Sequence, residues 1–345
     1  MQRISAFQKI LQKREIDFSI LFNNPLRPDA NFVYLSSLND VRGFLVIPMR
    51  KASYLAVNPL EYSIAKRYSL IRSIYTWRDS LKTIKQKEKG KKIGISGDMP
   101  ISMLWGIKKV LKGHFVNISD ELLELRAVKS GDEIKNLKKA CKISDLIMGE
   151  TLKFLKPNVN ELDAKRFIDK KINEYNCVPS FPAIVATSIN SKNPHHRASK
   201  KKLKGFTIID FGVKYNNYCS DVTRTFYIGR SSRLEREFYN KLLDVQKNVI
   251  KKLREGEAAS LAHNKAKEIL GDMFVHSLGH GIGLSVSEYP FLSPKSTHRL
   301  KAGMVFTVEP GMYGKRYGVR IEDDILLTED GAKRLTRFDK ELIVV

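Results

Sequence analysis

Four carboxylates and one histidine lie in short apolar or glycine-rich stretches of the C-terminal part of this chain. They are Asp210, Asp221, His280, Glu309 and Glu322. A charge in such surroundings is costly to bury unless something neutralises it. A pair of divalent cations would do so, and the five residues are therefore candidate metal ligands.

The spacing of the carboxylates places them on strands. Asp210 ends the β-forming run FTIID, and Asp221 follows 11 residues later, after the turn-forming VKYNNY and before VTRTFYIG. This pattern predicts a β-hairpin with the two carboxylates facing each other near the strand ends. Glu309 follows MVFTV, and Glu322 lies between YGVRI and ILL. Two further strands are therefore expected to join the site.

The ligand types restrict the metal. Four carboxylates and one imidazole form a hard, oxygen-rich set that suits Mn, Co, Fe or Zn better than a thiolate site would. The acidic groups are too many for one ion, and a pair of ions roughly 3.5–4 Å apart accommodates them. The alternative is that these are ordinary surface acids at hairpin ends, against which the five matched contexts argue.

The motifs that carry these residues resemble those of the metallopeptidase family with the pita-bread fold (M24), and within it the Xaa-Pro dipeptidases, or prolidases. The motifs are DFGVKYNNYCSDVTRT, HSLGHGIG, VEPGMY and VRIEDD, with RAVKSGDEIKNLKKA and NPHH before them. The resemblance implies an α/β protein with a creatinase-like N-terminal domain, residues 1–125, and a catalytic pita-bread domain, residues 126–345. The second domain would combine a curved antiparallel sheet with two helix pairs.

The resemblance also assigns roles to the five ligands. It implies that Asp210 chelates one ion, that His280 and Glu309 bind the other, and that Asp221 and Glu322 bridge the two. Glu309 would also act as general base, carrying a proton from the attacking water to the leaving amine. The expected cofactors are two divalent ions, Mn or Co, with Zn or Fe as alternatives.

Three residues outside the ligand set match further functional positions of the family. His195 and His276 are expected to donate hydrogen bonds to the scissile carbonyl oxygen. The alternatives are a solvated loop histidine for His195 and a group that orients a ligand for His276. Arg320 is expected to pair with the bridging carboxylates or with a substrate carboxylate, in bidentate fashion in either case.

One position departs from the family pattern. Prolidases carry a histidine before the glutamate that follows GHGIG, as in VHE, whereas this chain has Ser287 there. A smaller side chain is expected to loosen the proline pocket and to narrow the preference for Xaa-Pro over other dipeptides. His298 is a possible substitute, although a solvated loop histidine is the simpler interpretation.

The implied function is hydrolysis of the Xaa-Pro bond in dipeptides by a homodimer. An aminopeptidase P that acts on longer peptides is the alternative enzyme, and the two differ in how far the N-terminal domain closes the pocket. A metal-free creatinase-like hydrolase, or an inactive relative that binds nucleic acid or protein, is disfavoured because all five ligands are present.

Composition limits the partners. The net charge of +24 favours nonspecific contact with nucleic acid or acidic surfaces. The lysines are spread over both halves without interleaved aromatic residues, so specific nucleic-acid binding is not expected. No apolar stretch approaches the ~18 residues of a membrane span, and the amphipathic start lacks a signal-peptide core, which predicts a cytoplasmic protein. Three cysteines without CxxC pairing predict no disulfide framework.

Periodicity predicts the elements. In the N-terminal part we expect strands at DFSILF, NFVYLS, GFLVIPM, SYLAV and KKIGIS, an amphipathic helix at the start, and another at YSIAKRYSLIRSIY. In the C-terminal part, Ser130 and Glu133 form a capping box that begins a helix. Further helices are expected at residues 160–173, 234–254 and 260–270, with the metal site on the sheet face opposite the helix pairs.

Overall fold

The computed structural model describes residues 2–76 and 80–345. Residues are grouped into two compact units, Met1–Arg126 and Ala127–Val345. The eight candidate site residues lie in the second unit, so its strands determine the geometry of the site. Among the described residues, no helix combines the length and apolar character needed to cross a membrane.

The N-terminal unit is built on a mixed six-stranded sheet with the strand order β4-β3-β2-β1-β5-β6. Strands β1–β2 and β2–β3 are antiparallel, and β1–β5, β5–β6 and β3–β4 are parallel. The elements are α1 (Gln2–Lys13), β1 (Phe18–Asn23), α2 (Ala30–Ser36), β2 (Gly43–Pro48), β3 (Tyr54–Val57), α3 (Tyr62–Tyr68), β4 (Ser73–Thr76), α4 (Ser80–Lys87), β5 (Lys92–Ile95), α5 (Ile101–Val110), β6 (His114–Asn117) and α6 (Ser119–Ala127).

Two predictions for this unit were wrong. The run NFVYLS forms helix α2 rather than a strand, because Asp29 caps it by accepting a hydrogen bond from the amide of Phe32 at 2.7 Å. The helix is buried on all sides, so its apolar run has no helical periodicity. The predicted helix over residues 62–75 ends at Tyr68, and its second half forms strand β4, which pairs in parallel with β3.

The C-terminal unit contains two pairs of helices, each followed by antiparallel strands. The helices are α7 (Gly131–Phe154), α8 (Glu161–Glu174), α9 (Arg233–Lys252) and α10 (Ala259–Leu270). The strands are β7 (Val178–Pro179), β8 (Ile184–Thr187), β9 (Gly205–Phe211), β10 (Val213–Tyr215), β11 (Tyr218–Cys219), β12 (Val222–Ile228), β13 (Gly279–Gly281), β14 (Glu288–Leu292), β15 (Val305–Val308), β16 (Gly311–Tyr313), β17 (Gly318–Arg320), β18 (Asp323–Thr328) and β19 (Gly331–Arg334).

Two sheets support the site, one of order β12-β9-β8 and one of order β14-β13-β15-β18-β19. Helices α7 and α8 share a hydrophobic core with the first sheet, and α9 and α10 share one with the second. The capping box of Ser130 and Glu133 is present at the start of α7, as predicted. The repeated arrangement of a helix pair followed by strands confirms the expected architecture.

The predicted hairpin between the first two carboxylates is present, but Asp210 and Asp221 are not directly opposite each other. Strands β9 and β12 pair with Thr223 opposite Asp210. Between them, β10 and β11 are joined through Asn216 and Asn217, both with positive φ, 47° and 69°. Asparagine tolerates this backbone conformation, which a type I′ hairpin turn requires at both central positions.

Candidate metal centre

The ends of strands from both sheets meet at the five predicted ligands. Asp210 lies within β9, Asp221 directly precedes β12, and Glu309 directly follows β15. Glu322 directly precedes β18, and His280 is the central residue of β13. An isolated bridge between Thr223 and Glu322 joins the two sheets at this point. The fold therefore brings all five side chains to one junction.

The distances show a shared binding position. One ligand atom each of Asp221, His280 and Glu322 lies within 4.8 Å of the others. Nε2 of His280 is 3.4 Å from Oε1 of Glu309 and 3.9 Å from Oδ2 of Asp221. Asp210 and Glu309 border the same cavity as these three residues. Three carboxylates thus lie near the imidazole of His280, and a fourth, that of Asp210, borders the same cavity.

The orientation of His280 suits a metal ligand. Its Nδ1 is 3.2 Å from the carbonyl oxygen of Gly281, to which it donates, so that Nε2 keeps its lone pair. Metal-binding histidines commonly have this arrangement. The neighbouring strands approach β13 closely, and a Cβ on Gly279 or Gly281 would overlap the carbonyl oxygens of Thr307 or Tyr289. The glycines on either side of His280 are therefore a steric requirement.

Three carboxylate oxygens of the candidate ligands lack a hydrogen-bond partner among the described residues. They are Oδ1 of Asp210, Oδ1 of Asp221 and Oε1 of Glu322, all fully buried. Buried polar atoms are nearly always satisfied by a donor, by water or by an ion. Unpartnered anionic oxygens that lie together have the donor chemistry of a cation site, so the residues present fit divalent metal ions.

The pKa shifts of the carboxylates at the junction also indicate a cation site. Burial, and then repulsion from the neighbouring carboxylates, raises the pKa of Asp221 and of Glu322 well above the ordinary range. Burial also raises the pKa of Glu309 to about 8, and Asp210 adds to this effect. Four ionised carboxylates this close together therefore require positive charge between them.

Arg320 supplies part of that charge. It pairs with Asp210 rather than with a bridging carboxylate, through one bond from Nη2 to Oδ2 of 2.6 Å. Its Nη1 donates to the hydroxyl of Tyr313 at 2.7 Å, and its Nε donates to Thr223 at 3.3 Å. The contact with Asp210 is a single bond, because the other donor positions serve Thr223, Tyr313 and the carbonyl oxygen of Pro194. A bidentate contact with a substrate carboxylate stays a prediction.

His276 lies at the end of this chain of hydrogen bonds. Its Nδ1 donates to the carbonyl oxygen of Ser277 at 2.8 Å, and its Nε2 accepts from the hydroxyl of Tyr313 at 3.0 Å. Burial lowers the pKa of His276 to about 4, which keeps the ring neutral and consistent with this pattern. Both nitrogens are engaged, an arrangement that favours the orienting role over donation to substrate.

His195 and Ser287 occupy different positions relative to the cavity. The side chain of His195 is exposed and borders the cavity beside Pro194. Ser287 is also exposed, but it does not line the cavity, whereas its neighbour Val286 does. His298 packs against Tyr289, with ring centroids 4.0 Å apart, and does not line the cavity either.

Sequence reasoning missed several groups that hold the ligands. Thr223 donates to Oε2 of Glu322 at 2.7 Å, and Tyr313 connects Arg320 with His276. The buried Asp324 accepts from the amide of Asp221 at 3.0 Å and from the thiol of Cys141 at 3.2 Å. All but Cys141 lie in the ligand-bearing motifs, which was the available signal. The three cysteines are buried free thiols.

The eight predicted residues border one cavity of about 940 Å³. Its polar end holds the carboxylates, the imidazole of His280 and Arg320. The remaining wall is mostly apolar, and includes Leu162, Phe181 and Ile184. A pocket of this size with convergent polar groups at one end is typical of a small-molecule active site.

Comparison with known proteins identifies the family. Residues 135–329 match the model of metallopeptidase family M24. This chain belongs to metallopeptidase family M24. Residues 3–128 match the creatinase/prolidase N-terminal domain that precedes the peptidase domain. The M24 chain is therefore an enzyme, and its creatinase-like and pita-bread domains confirm the expected fold class.

Individual relatives of this M24 peptidase match over nearly its whole length. An Xaa-Pro dipeptidase from Pyrococcus furiosus is 33% identical and aligns over 99% of both chains. The crystal structure of the prolidase from Pyrococcus horikoshii OT3 has a TM-score of 0.93 at 32% identity, covering 99% of this chain and 100% of that one. An X-Pro aminopeptidase from Thermotoga maritima MSB8 has a TM-score of 0.88 at 30% identity, covering 96% and 99%.

Proposed function

We propose that this M24 peptidase hydrolyses the peptide bond before proline in dipeptides, using two divalent ions held by Asp210, Asp221, His280, Glu309 and Glu322. The observation that carries the proposal is the meeting of four carboxylates and one imidazole at a sheet junction with three unpartnered carboxylate oxygens. The substrate class rests on the resemblance to Xaa-Pro dipeptidases over the full length of the chain.

Charge balance favours two ions over one. The four carboxylates carry four negative charges, and Arg320 offsets one of them through its pair with Asp210. A single divalent ion would leave one negative charge uncompensated in a buried setting, which is costly. Two divalent ions supply enough charge for the whole set. Mn or Co suits these oxygen and nitrogen ligands, and Zn or Fe is chemically compatible with them.

Within this site, each side chain has a distinct role. When bound, the ions would lower the pKa of water and polarise the scissile carbonyl. Glu309 borders the cavity and can take a proton from the attacking water and deliver it to the leaving amine. His195, exposed at the cavity wall, donates to the carbonyl oxygen as negative charge develops there. Arg320 fixes the carboxylate of Asp210, and Tyr313 fixes the ring of His276.

A second candidate is an aminopeptidase that removes the first residue from longer Xaa-Pro peptides. The likeness to the X-Pro aminopeptidase structure from Thermotoga maritima, at 30% identity, supports it. Both candidates use the same metal centre and differ in the length of substrate that the cavity accepts. A homodimer and a cytoplasmic location stay predictions for either activity.

The test is hydrolysis of Gly-Pro, Met-Pro and a longer Xaa-Pro peptide by protein that has been chelated and then supplied with Mn or Co. We expect no activity after chelation, restored activity with either ion, and faster cleavage of the dipeptides. Undiminished hydrolysis by metal-free protein would refute the metal-dependent mechanism. Faster cleavage of the longer peptide would select the aminopeptidase.

A further inference from the structure

Among the described residues, the cavity wall carries one cationic side chain that has no carboxylate partner. Three Lys or Arg side chains line it: Lys165, Arg197 and Arg320. Arg320 is paired with Asp210, and Lys165 is paired with Asp169 at 2.6 Å. Arg197 is exposed, and the described part of the chain offers it no carboxylate partner. A guanidinium left available at the wall of an active-site cavity can bind an anionic group of the substrate.

The backbone that carries Arg197 is held in place by a buried carboxylate. Glu161, at the start of α8, accepts hydrogen bonds at Oε2 from the ring of His196 at 2.9 Å, and from the amide and hydroxyl of Ser199 at 2.9 and 2.6 Å. Its Oε1 accepts from the amide of Thr187 at 2.8 Å. The residues on both sides of Arg197 are therefore fixed to the rigid scaffold of α8 and β8.

The cavity wall offers the three kinds of group that a dipeptide requires. The metal-binding carboxylates lie at β9, where Asp210 is paired in register with Ile184 of the adjacent strand β8. Ile184 and the preceding Phe181 form part of the apolar wall. Helix α8 packs against β8, and Glu161 at its start holds the end of β8 through the amide of Thr187 and the Arg197 loop through the amide of Ser199.

An Xaa-Pro dipeptide has three groups that match these parts of the cavity. Its amine and scissile carbonyl belong at the polar end of the cavity, and its proline ring suits the apolar wall. Its free carboxylate then requires a cation at the cavity wall, which Arg197 supplies. A longer peptide has a neutral amide at that position and gains nothing from a guanidinium.

We propose that Arg197 binds the free carboxylate of the C-terminal residue of the substrate and thereby selects dipeptides over longer peptides. Lys165 lies on the neighbouring helix and adds positive potential, although its pair with Asp169 reduces this contribution. The assignment rests on the proposed Xaa-Pro hydrolysis and defines the substrate class within it. It makes Arg197 a specificity residue that contacts substrate without taking part in bond cleavage.

The test compares Met-Pro with Met-Pro amide, which lacks only the carboxylate charge, in the manganese-loaded full-length enzyme. Arg197→Gln is expected to raise KM for Met-Pro by about 10- to 100-fold, the range for losing a charge-assisted hydrogen bond. It should change KM for the amide by less than about 2-fold, with kcat and metal content unaltered, since the lost contact is specific to the carboxylate. Arg197→Lys should recover part of the lost affinity because it keeps the charge.

Lys200→Gln is the matched control, because Lys200 is an exposed cation of the same loop that does not line the cavity. It should leave KM for both substrates unchanged. Equal changes in KM for Met-Pro and its amide in Arg197→Gln, or no change in either, would overturn the assignment. If the wild-type enzyme cleaves neither compound, the proposed Xaa-Pro hydrolysis itself fails, which is a distinct outcome.

Discussion

Replacing Lys129 by methionine is expected to destabilise the C-terminal unit by about 3–5 kcal/mol, the cost of leaving a buried carboxylate without its charge partner. Nζ of Lys129 is 2.9 Å from Oε1 of Glu288, and both side chains are only 1% exposed. The other oxygen of Glu288 accepts from the amide of Ser285 at 3.3 Å. This pair anchors the turn that follows β13, because Gly281 is paired in register with Glu288.

The assay is urea unfolding of metal-free protein followed by circular dichroism, since bound metal would add its own stabilisation. Lys135→Met is the control: Lys135 is 80% exposed in its pair with Asp132, so its loss should cost less than about 1 kcal/mol. The double variant Lys129→Met with Glu288→Leu should recover most of the loss, because no buried charge remains. A Lys129→Met variant within about 1 kcal/mol of wild type would refute the reasoning.

Three further predictions concern the site. His195→Ala should lower kcat by about 10²–10³ without loss of metal, as when one donor to a developing oxyanion is removed; an equal loss of metal would make the residue structural. Because the pKa of His276 is lowered to about 4 in the folded protein, against about 6.5 when unfolded, the unfolded chain binds the extra proton between these values. The free energy of unfolding of metal-free protein should therefore decrease as pH drops from about 6.5 to 4. His276→Gln should remove this part of the pH dependence, and an unchanged slope in the variant would contradict the neutral ring. Ser287→His should widen the ratio of kcat/KM for Met-Pro over Met-Ala if a side chain of that length reaches the cavity beside Val286, and an unchanged ratio would show that the departure from the family pattern is neutral.

Local patterns predicted the parts of the fold that local chemistry determines. The capping box at Ser130 gave the start of α7, and the turn between Asp210 and Asp221 followed from its two asparagines. The run NFVYLS failed because a short helix buried on all sides has the same apolar pattern as a buried strand. The helix predicted over residues 62–75 failed because pairing with β3 determines the structure of its second half.

In the candidate site, too, the sequence revealed some residues and not the tertiary contacts that support them. The five candidate ligands could be picked out because carboxylates in apolar strands are unusual and lie in recognisable motifs. The supporting contacts were not, because they join residues far apart in the chain, such as Thr223 with Glu322 and Asp324 with Cys141. Arg320 was expected to pair with the bridging carboxylates or with a substrate carboxylate. It pairs with Asp210 in the structure, a contact that depends on the packing of β17 against β9.

The measurement that tests the central claim most directly is the metal content of the purified chain. Metal-free protein is loaded with Mn, dialysed against metal-free buffer, and analysed by elemental mass spectrometry, with hydrolysis of Met-Pro measured on the same sample. The account predicts two ions per chain together with activity, and fewer ions with little activity in Glu322→Ala, because a bridging ligand serves both positions. Full activity in wild-type protein that retains no more than one ion per chain, or two ions retained by a fully active Glu322→Ala, would contradict it.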